Sequence, residues 1–207
     1  MHDNLLIMFV KYPRPGYVKS RLAFKLGDIE ATRVYRSVTE NLISAIVQPS
    51  KDACYEIAVT YSPAEAAQEM RAWLGSGLQL IAQSGANLGE RMQKAFSDGF
   101  SRGYKNIIII GSDCPAVTNE LIISALEKLK SHDVVIGPAY DGGYYLIGLC
   151  RSEPKLFAGI DWSTELVLKQ TIERCTALHR SYVLLPELRD IDRIEDLAYY
   201  RGLGMIL

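Results

Sequence analysis

Four consecutive isoleucines, Ile107–Ile110, stand between Asn106 and Gly111. Successive side chains of a strand point to opposite faces of a sheet, so an apolar run without alternation has to be covered on both sides. Leu5–Val10 is a second run of this kind, closed by a loop containing Pro13, Pro15 and Gly16. Strands buried on both faces belong to parallel sheets, whose crossover helices supply the two covering layers. These two runs therefore constrain the chain to an α/β arrangement.

The rest of the pattern agrees. Val34, Val38, Leu42, Ile43 and Ile46 have helical spacing, and Gly27-Asp28 divides the stretch from Val18 to Val47 into a short and a longer helix. Tyr55–Tyr61 reads as a strand, Pro63–Leu74 as a helix with proline at a tolerated early position, and Leu78–Ala82 as a short strand. A helix over Asn87–Gly103 follows, then the isoleucine strand. Thr118 caps the next helix, which turns Leu121, Ile122, Ala125, Leu126 and Leu129 inward. Asp133–Gly137 and Tyr144–Leu149 read as strands, and Thr164 as the N-cap of a helix running to about Arg174. Tyr182–Leu185 is a late strand, and Ile194–Tyr200 a last helix. The expected architecture is one Rossmann-like domain over residues 1–207, with a mostly parallel central sheet and helices on both faces. Such sheets bind ligands beyond the carboxyl ends of their strands, in the loops after Val10, Ile110 and Gly137.

Composition removes several function classes. With 207 residues and a formal net charge of −1, the chain lacks the basic excess of a nucleic-acid-binding domain. No apolar run approaches the ~20 residues of a membrane span. Lys11 interrupts the first apolar stretch too early for a signal peptide, so a cytoplasmic protein is expected. The four cysteines, Cys54, Cys114, Cys150 and Cys175, lack zinc-site spacing and read as buried small hydrophobes.

The candidate chemistry sits in the loops. The segment after the first strand carries Lys11, Arg14, Lys19 and Arg21 around Gly16, ahead of a helix. Free N–H groups at a helix start and charge-assisted bonds from Lys and Arg can hold a di- or triphosphate. The alternative is a solvated basic loop. Neither GxxxxGK[ST] nor GxGxxG is present. After the isoleucines comes Gly111-Ser112-Asp113-Cys114-Pro115. Asp113 is placed either to bind a hard cation such as Mg²⁺, which favours carboxylate and phosphate oxygens, or to form a turn. A nucleophilic Cys114 lacks a histidine in a catalytic setting. In the segment from Gly137 to Gly148, Asp141 can meet a metal or an acceptor hydroxyl, Gly142 and Gly143 allow close backbone approach, and Tyr144 can stack on a sugar or base. Arg91, at the start of a helix, is a further phosphate candidate or one half of an exposed Glu90–Arg91 pair. Trp162 lines an acceptor pocket or fills core. Asp192 reads as a helix N-cap, with Glu195 completing a capping box.

Taken together, the KxPxPGxVKSRL loop, GSDCP, GPAYDGGYYLIGL, Asp-Trp-Ser-Thr-Glu at 161–165 and DIDRIEDL resemble the small bacterial GT-A-fold proteins known as nucleotide-diphospho-sugar transferase-like or selenodomain-associated transferases. The resemblance spans Leu5 to about Leu197. More distantly it reaches phospholactate guanylyltransferase and the molybdenum-cofactor guanylyltransferase. It implies a GT-A fold, Lys19 and Arg21 as phosphate ligands, Asp113 as a first metal ligand and Asp192 as a second, with Mg²⁺ or Mn²⁺ as the ion. The chain departs from these relatives at Arg193, where they often carry Thr, and has no DxD triplet after the isoleucine strand.

The expected function is a metal-dependent transferase that takes a nucleotide-diphospho-sugar donor and a small-molecule acceptor. Two alternatives stand beside it. One is nucleotidyl transfer from a triphosphate with release of pyrophosphate; the other is a non-catalytic nucleotide-binding module.

Overall fold

A computed structural model describes residues 2–47 and 54–205. Seven strands form one sheet in the order β3-β2-β1-β4-β6-β5-β7. They are β1 (Asn4–Lys11), β2 (Glu56–Ser62), β3 (Gln79–Ala82), β4 (Asn106–Ile110), β5 (Val134–Pro138), β6 (Tyr144–Leu149) and β7 (Tyr182–Leu184). β1 lies between β2 and β4 and is parallel to both. β6 follows β5 through a tight turn and runs antiparallel to both β4 and β5. The sheet is therefore mostly parallel with one reversed strand, and the turn into β6 opens on the same edge as the carboxyl ends of β1 and β4.

The isoleucine run divides as its spacing requires. Ile108 and Ile110 enter one core, with Leu6, Met8 and Val10 of β1. Ile107 and Ile109 enter the other, with Leu5 and Ile7. Full burial of each such side chain contributes about 1.5–3 kcal/mol. The first core is covered by α2 (Asp28–Ile46), α3 (Ala67–Leu74) and α5 (Asn119–Lys128). The second is covered by α4 (Leu88–Ser101), α6 (Val167–Ala177) and the short 3₁₀ turn Pro154–Phe157. A third cluster joins α1 (Ser20–Leu26), α2 and α7 (Ile194–Gly202) through Leu22, Val34, Val38, Leu197 and Tyr200. Among the described residues, no helix is long and apolar enough to cross a membrane.

Several expectations need correction. Gly27 divides α1 from α2 as expected, and Thr118 accepts from Leu121 N at the start of α5. Thr164 does not cap α6, which starts at Val167; its Oγ1 instead donates to Asp161 O and accepts from Leu166 N within the preceding turn. Asp192 does not cap α7 either. Arg193 is the cap residue, and Asp196, not Glu195, reaches back to the N–H groups of Asp192 at 3.1 Å and Arg193 at 2.8 Å. The helix start is satisfied by Asp196, which leaves the Asp192 carboxylate available elsewhere. Cys114 and Cys175 are buried as expected, whereas Cys54 is exposed and Cys150 half-buried.

Candidate functional site

The loop after β4 carries Asp113, and the turn between β5 and β6 carries Asp141. A third segment joins them at the same edge. Leu188 accepts from Tyr140 N at 3.0 Å and donates to Pro138 O at 3.0 Å, so residues 186–190 run alongside β5 as it ends. Ile191 N then bonds Asp113 O at 2.9 Å. This path delivers Arg189, Asp190 and Asp192 to the loop tips. The result is a cleft of about 870 Å³, lined in part by Arg21, Asp113, Asp141, Tyr144, Trp162 and Asp192.

Two ion pairs organise it. Lys19 Nζ lies 2.8 Å from Asp113 Oδ2, with the lysine side chain only 8% exposed and the aspartate 36%. Burial works against both charges, yet their mutual attraction prevails: the Lys19 ammonium is held above its ordinary pKa and the Asp113 carboxyl below. Lys19 holds this position from a left-handed backbone, φ 52° and ψ 47°, immediately before α1. The second pair, Arg21 to Asp192, is more open, with the arginine side chain 57% exposed. Tyr35, buried in α2, ties the two loops behind the first pair. Its hydroxyl accepts from Lys11 N at 2.9 Å and shares a hydrogen bond with Ser112 Oγ at 2.8 Å.

The turn into β6 is shaped by glycine. Gly142 has φ +86°, and a Cβ there would lie 2.3 Å from the carbonyl oxygen of Glu165. Only glycine allows the turn to pack on Glu165, and Leu168 N, at the start of α6, donates to Gly142 O at 2.9 Å. Gly143 N donates to Asp141 Oδ1 at 2.8 Å, which fixes the Asp141 side chain while leaving the residue exposed on the cleft. Trp162 lies across Gly89 of α4, where an added Cβ would come within 2.5 Å of its indole nitrogen.

The structure thus brings together Arg21, Asp113, Asp141, Gly143, Tyr144, Trp162 and Asp192 on one surface, with Lys19 behind Asp113 and Gly142 in the supporting turn. Lys11, at the end of β1, and Gly16, in the loop after it, lie outside the cleft lining; Gly16 turns there with φ +81°. Arg91 also lies off the lining. It does not pair with Glu90: Arg91 Nε donates to Gly85 O, while Glu90 accepts from Ala86 N and the Asn87 side chain. Cys114 is buried against Arg189 O, and burial pushes its thiol up to about 12, which removes it as a nucleophile.

Sequence reasoning missed Asp190 and Arg189. Burial, followed by the nearby charges of Asp113 and Asp141, pushes the Asp190 carboxyl up to about 7. Arg189 is stacked between Tyr140 at 4.7 Å and Tyr199 at 5.0 Å and bonds Asp196 at 3.2 Å. The readable signal was the density of charge in Arg189–Asp196, which exceeds what one helix cap needs.

The donor set is all oxygen, which suits a hard cation. Among the described residues, no three His, Cys, Asp or Glu stand close enough to hold a metal by themselves. Asp113 and Asp192 both line the cleft and are the carboxylates there that could supply oxygens to such an ion.

Comparison with known proteins bears on the fold and the family. A protein from Desulfovibrio desulfuricans G20, provisionally assigned as a nucleotide-diphospho-sugar transferase, is 35% identical, with a TM-score of 0.90 over 98% of this chain and 88% of that one. A nucleotidyl transferase from Methanothermobacter shares the fold at 14% identity and TM-score 0.63, covering 97% of this chain and 96% of its own. CMP:2-keto-3-deoxy-manno-octonic acid synthetase, solved with CTP, does so at 10% identity and TM-score 0.60, covering 97% and 98%. No curated protein matches the sequence. The resemblance read from the motifs stands: the neighbours are nucleotide-sugar and nucleotidyl transferases. Residues 46–164 match the family described as "Uncharacterized protein conserved in bacteria (DUF2064)", and the chain belongs to that family.

Proposed function

We propose that this protein is a nucleotide-dependent transferase that moves a sugar from a nucleotide-diphospho-sugar donor to an acceptor hydroxyl. The observation that carries the reading is the convergence of two cation–carboxylate pairs, Lys19–Asp113 and Arg21–Asp192, at one sheet edge beside an open cleft. The similarity to the Desulfovibrio protein supports it.

In this reading Lys19 and Arg21 hold the donor diphosphate, with Lys11 and the Gly16 turn closing the loop around it. Asp113 and Asp192 would hold Mg²⁺ or Mn²⁺, and a bound ion supplies charge neutralisation for the departing diphosphate. Asp141 accepts the proton of the acceptor hydroxyl as its oxygen bonds to the sugar carbon. The carbon–oxygen bond to the diphosphate breaks, and the diphosphate leaves with the electron pair. Gly142 and Gly143 bring backbone close to the acceptor, and Tyr144 and Trp162 form the apolar wall of its pocket.

A second reading is nucleotidyl transfer, in which an acceptor phosphate attacks the α-phosphorus of a triphosphate and pyrophosphate leaves. The concentration of Lys11, Arg14, Lys19 and Arg21 between the end of β1 and the start of α1 favours it.

A thermal-shift panel of nucleoside triphosphates and nucleoside-diphosphate sugars, with and without Mg²⁺ or Mn²⁺, separates them. A ligand at ~100 times its dissociation constant stabilises the fold by about 2.7 kcal/mol. The expected result is a metal-dependent shift that is largest for a diphospho-sugar. A shift with triphosphates alone supports nucleotidyl transfer, and no shift with any nucleotide sinks both.

A further inference from the structure

The groups assigned above to phosphate and to metal are engaged with each other in this protein. Lys19 holds Asp113 at 2.8 Å, and Arg21 holds Asp192. The two side chains proposed to hold the diphosphate, Lys19 and Arg21, are each the counter-ion of a proposed metal ligand. We infer that the two pairs keep the cation site closed until nucleotide phosphates arrive, so that the divalent metal enters with the nucleotide and not ahead of it. This inference rests on the nucleotide-and-metal reading above.

The physical case is strongest for Lys19. Its side chain is 8% exposed, and its one hydrogen bond among the described residues goes to Asp113. If Asp113 turned to a metal on its own, a nearly buried ammonium would lose its partner and gain a divalent neighbour. Both changes are unfavourable. A phosphate removes the difficulty by taking the ammonium as the carboxylate turns, so that every charge remains paired throughout the exchange. The left-handed backbone at Lys19, sparsely populated for a residue with a side chain, is the kind of strain found where position matters. Arg21–Asp192 is a weaker lock of the same design, because water can replace either partner of an exposed pair.

The test reads Mn²⁺ binding from the electron paramagnetic resonance signal of the free ion, without nucleotide. The proteins are wild type, Lys19→Met, Arg21→Met and Arg193→Met, the last removing an exposed cation from the same cleft. Lys19→Met is expected to tighten Mn²⁺ about tenfold or more, because a near-buried counter-ion is gone. Arg21→Met should tighten it about two- to threefold, and Arg193→Met less than either. A Lys19→Met affinity equal to wild type, or no tighter than Arg193→Met, overturns the inference. If Lys19→Met fails to fold, the ranking of Arg21→Met against Arg193→Met decides by the same criterion. Mn²⁺ together with the nucleotide that gives the largest thermal shift is then measured on wild type. Failure of wild type to bind nucleotide at all removes the transferase reading; nucleotide binding with unchanged Mn²⁺ affinity in Lys19→Met removes the gate alone.

Discussion

Lys19–Asp113 and Arg21–Asp192 use the same chemistry two residues apart at the start of α1, yet they differ in what surrounds them. The lysine is 8% exposed and the arginine 57%. Lys19 lies behind the loop after β4, against Tyr35 and α2, while Arg21 lies on the open cleft wall. A buried pair is costly to break from one side, because the partner left behind has neither water nor counter-ion. An exposed pair contributes at most about 1 kcal/mol, because water substitutes for either partner. The first pair therefore sets the shape of the site, and the second tunes its charge.

The largest expected effect is Asp113→Ala. It strands the Lys19 ammonium, and we expect a loss of about 3 kcal/mol in urea unfolding, near the low end for a one-sided break because Asp113 itself keeps some solvent contact. The double variant Lys19→Met, Asp113→Leu should recover most of that loss, since replacing both charges removes the stranded group. If the double variant is as unstable as Asp113→Ala, the pair is not the source of the effect.

Next comes Tyr35→Phe. It removes the hydroxyl that accepts from Lys11 N and meets Ser112 Oγ, and takes that partner from the buried Ser112 hydroxyl. The expected cost is about 1–3 kcal/mol. It should also loosen nucleotide binding, because it unties the basic loop from the loop carrying Asp113. A stability loss with unchanged nucleotide affinity would place Tyr35 in the core alone.

The smallest effect is Arg21→Ala, expected within about 1 kcal/mol of wild type. Raising salt to ~1 M should shrink that difference further, since screening acts over about 3 Å there, and should leave the Asp113→Ala difference largely intact. Equal salt sensitivity of the two would erase the contrast between the pairs.

This contrast also marks how far the sequence could be read. The sheet was legible because Ile107–Ile110 and Leu5–Val10 carry their burial in their own composition, and Gly27 and Thr118 act through local backbone. Lys19, Arg21, Asp113 and Asp141 were legible as residues, because each stands in a loop at the end of a strand or, for Arg21, in the first turn of the helix after one. Their pairing was not, since Lys19 and Asp113 are 94 positions apart. Asp190 was invisible for a related reason: its place beside Asp141 and Asp113 depends on residues 186–190 running along the end of β5. Asp192 was misread as a helix cap because Asp196 performs that task from inside the helix, a choice that two acidic residues four apart leave open.

The most direct test of the account is a titration of a nucleoside-diphosphate sugar in the presence of Mn²⁺ into wild type and into the double variant Asp113→Asn, Asp192→Asn. The account predicts saturable, Mn²⁺-dependent binding to wild type and its loss in the double variant, with both proteins folded. Equal binding to the two would contradict the assignment of the carboxylates, and no binding to folded wild type would contradict the central claim that this cleft receives a nucleotide donor.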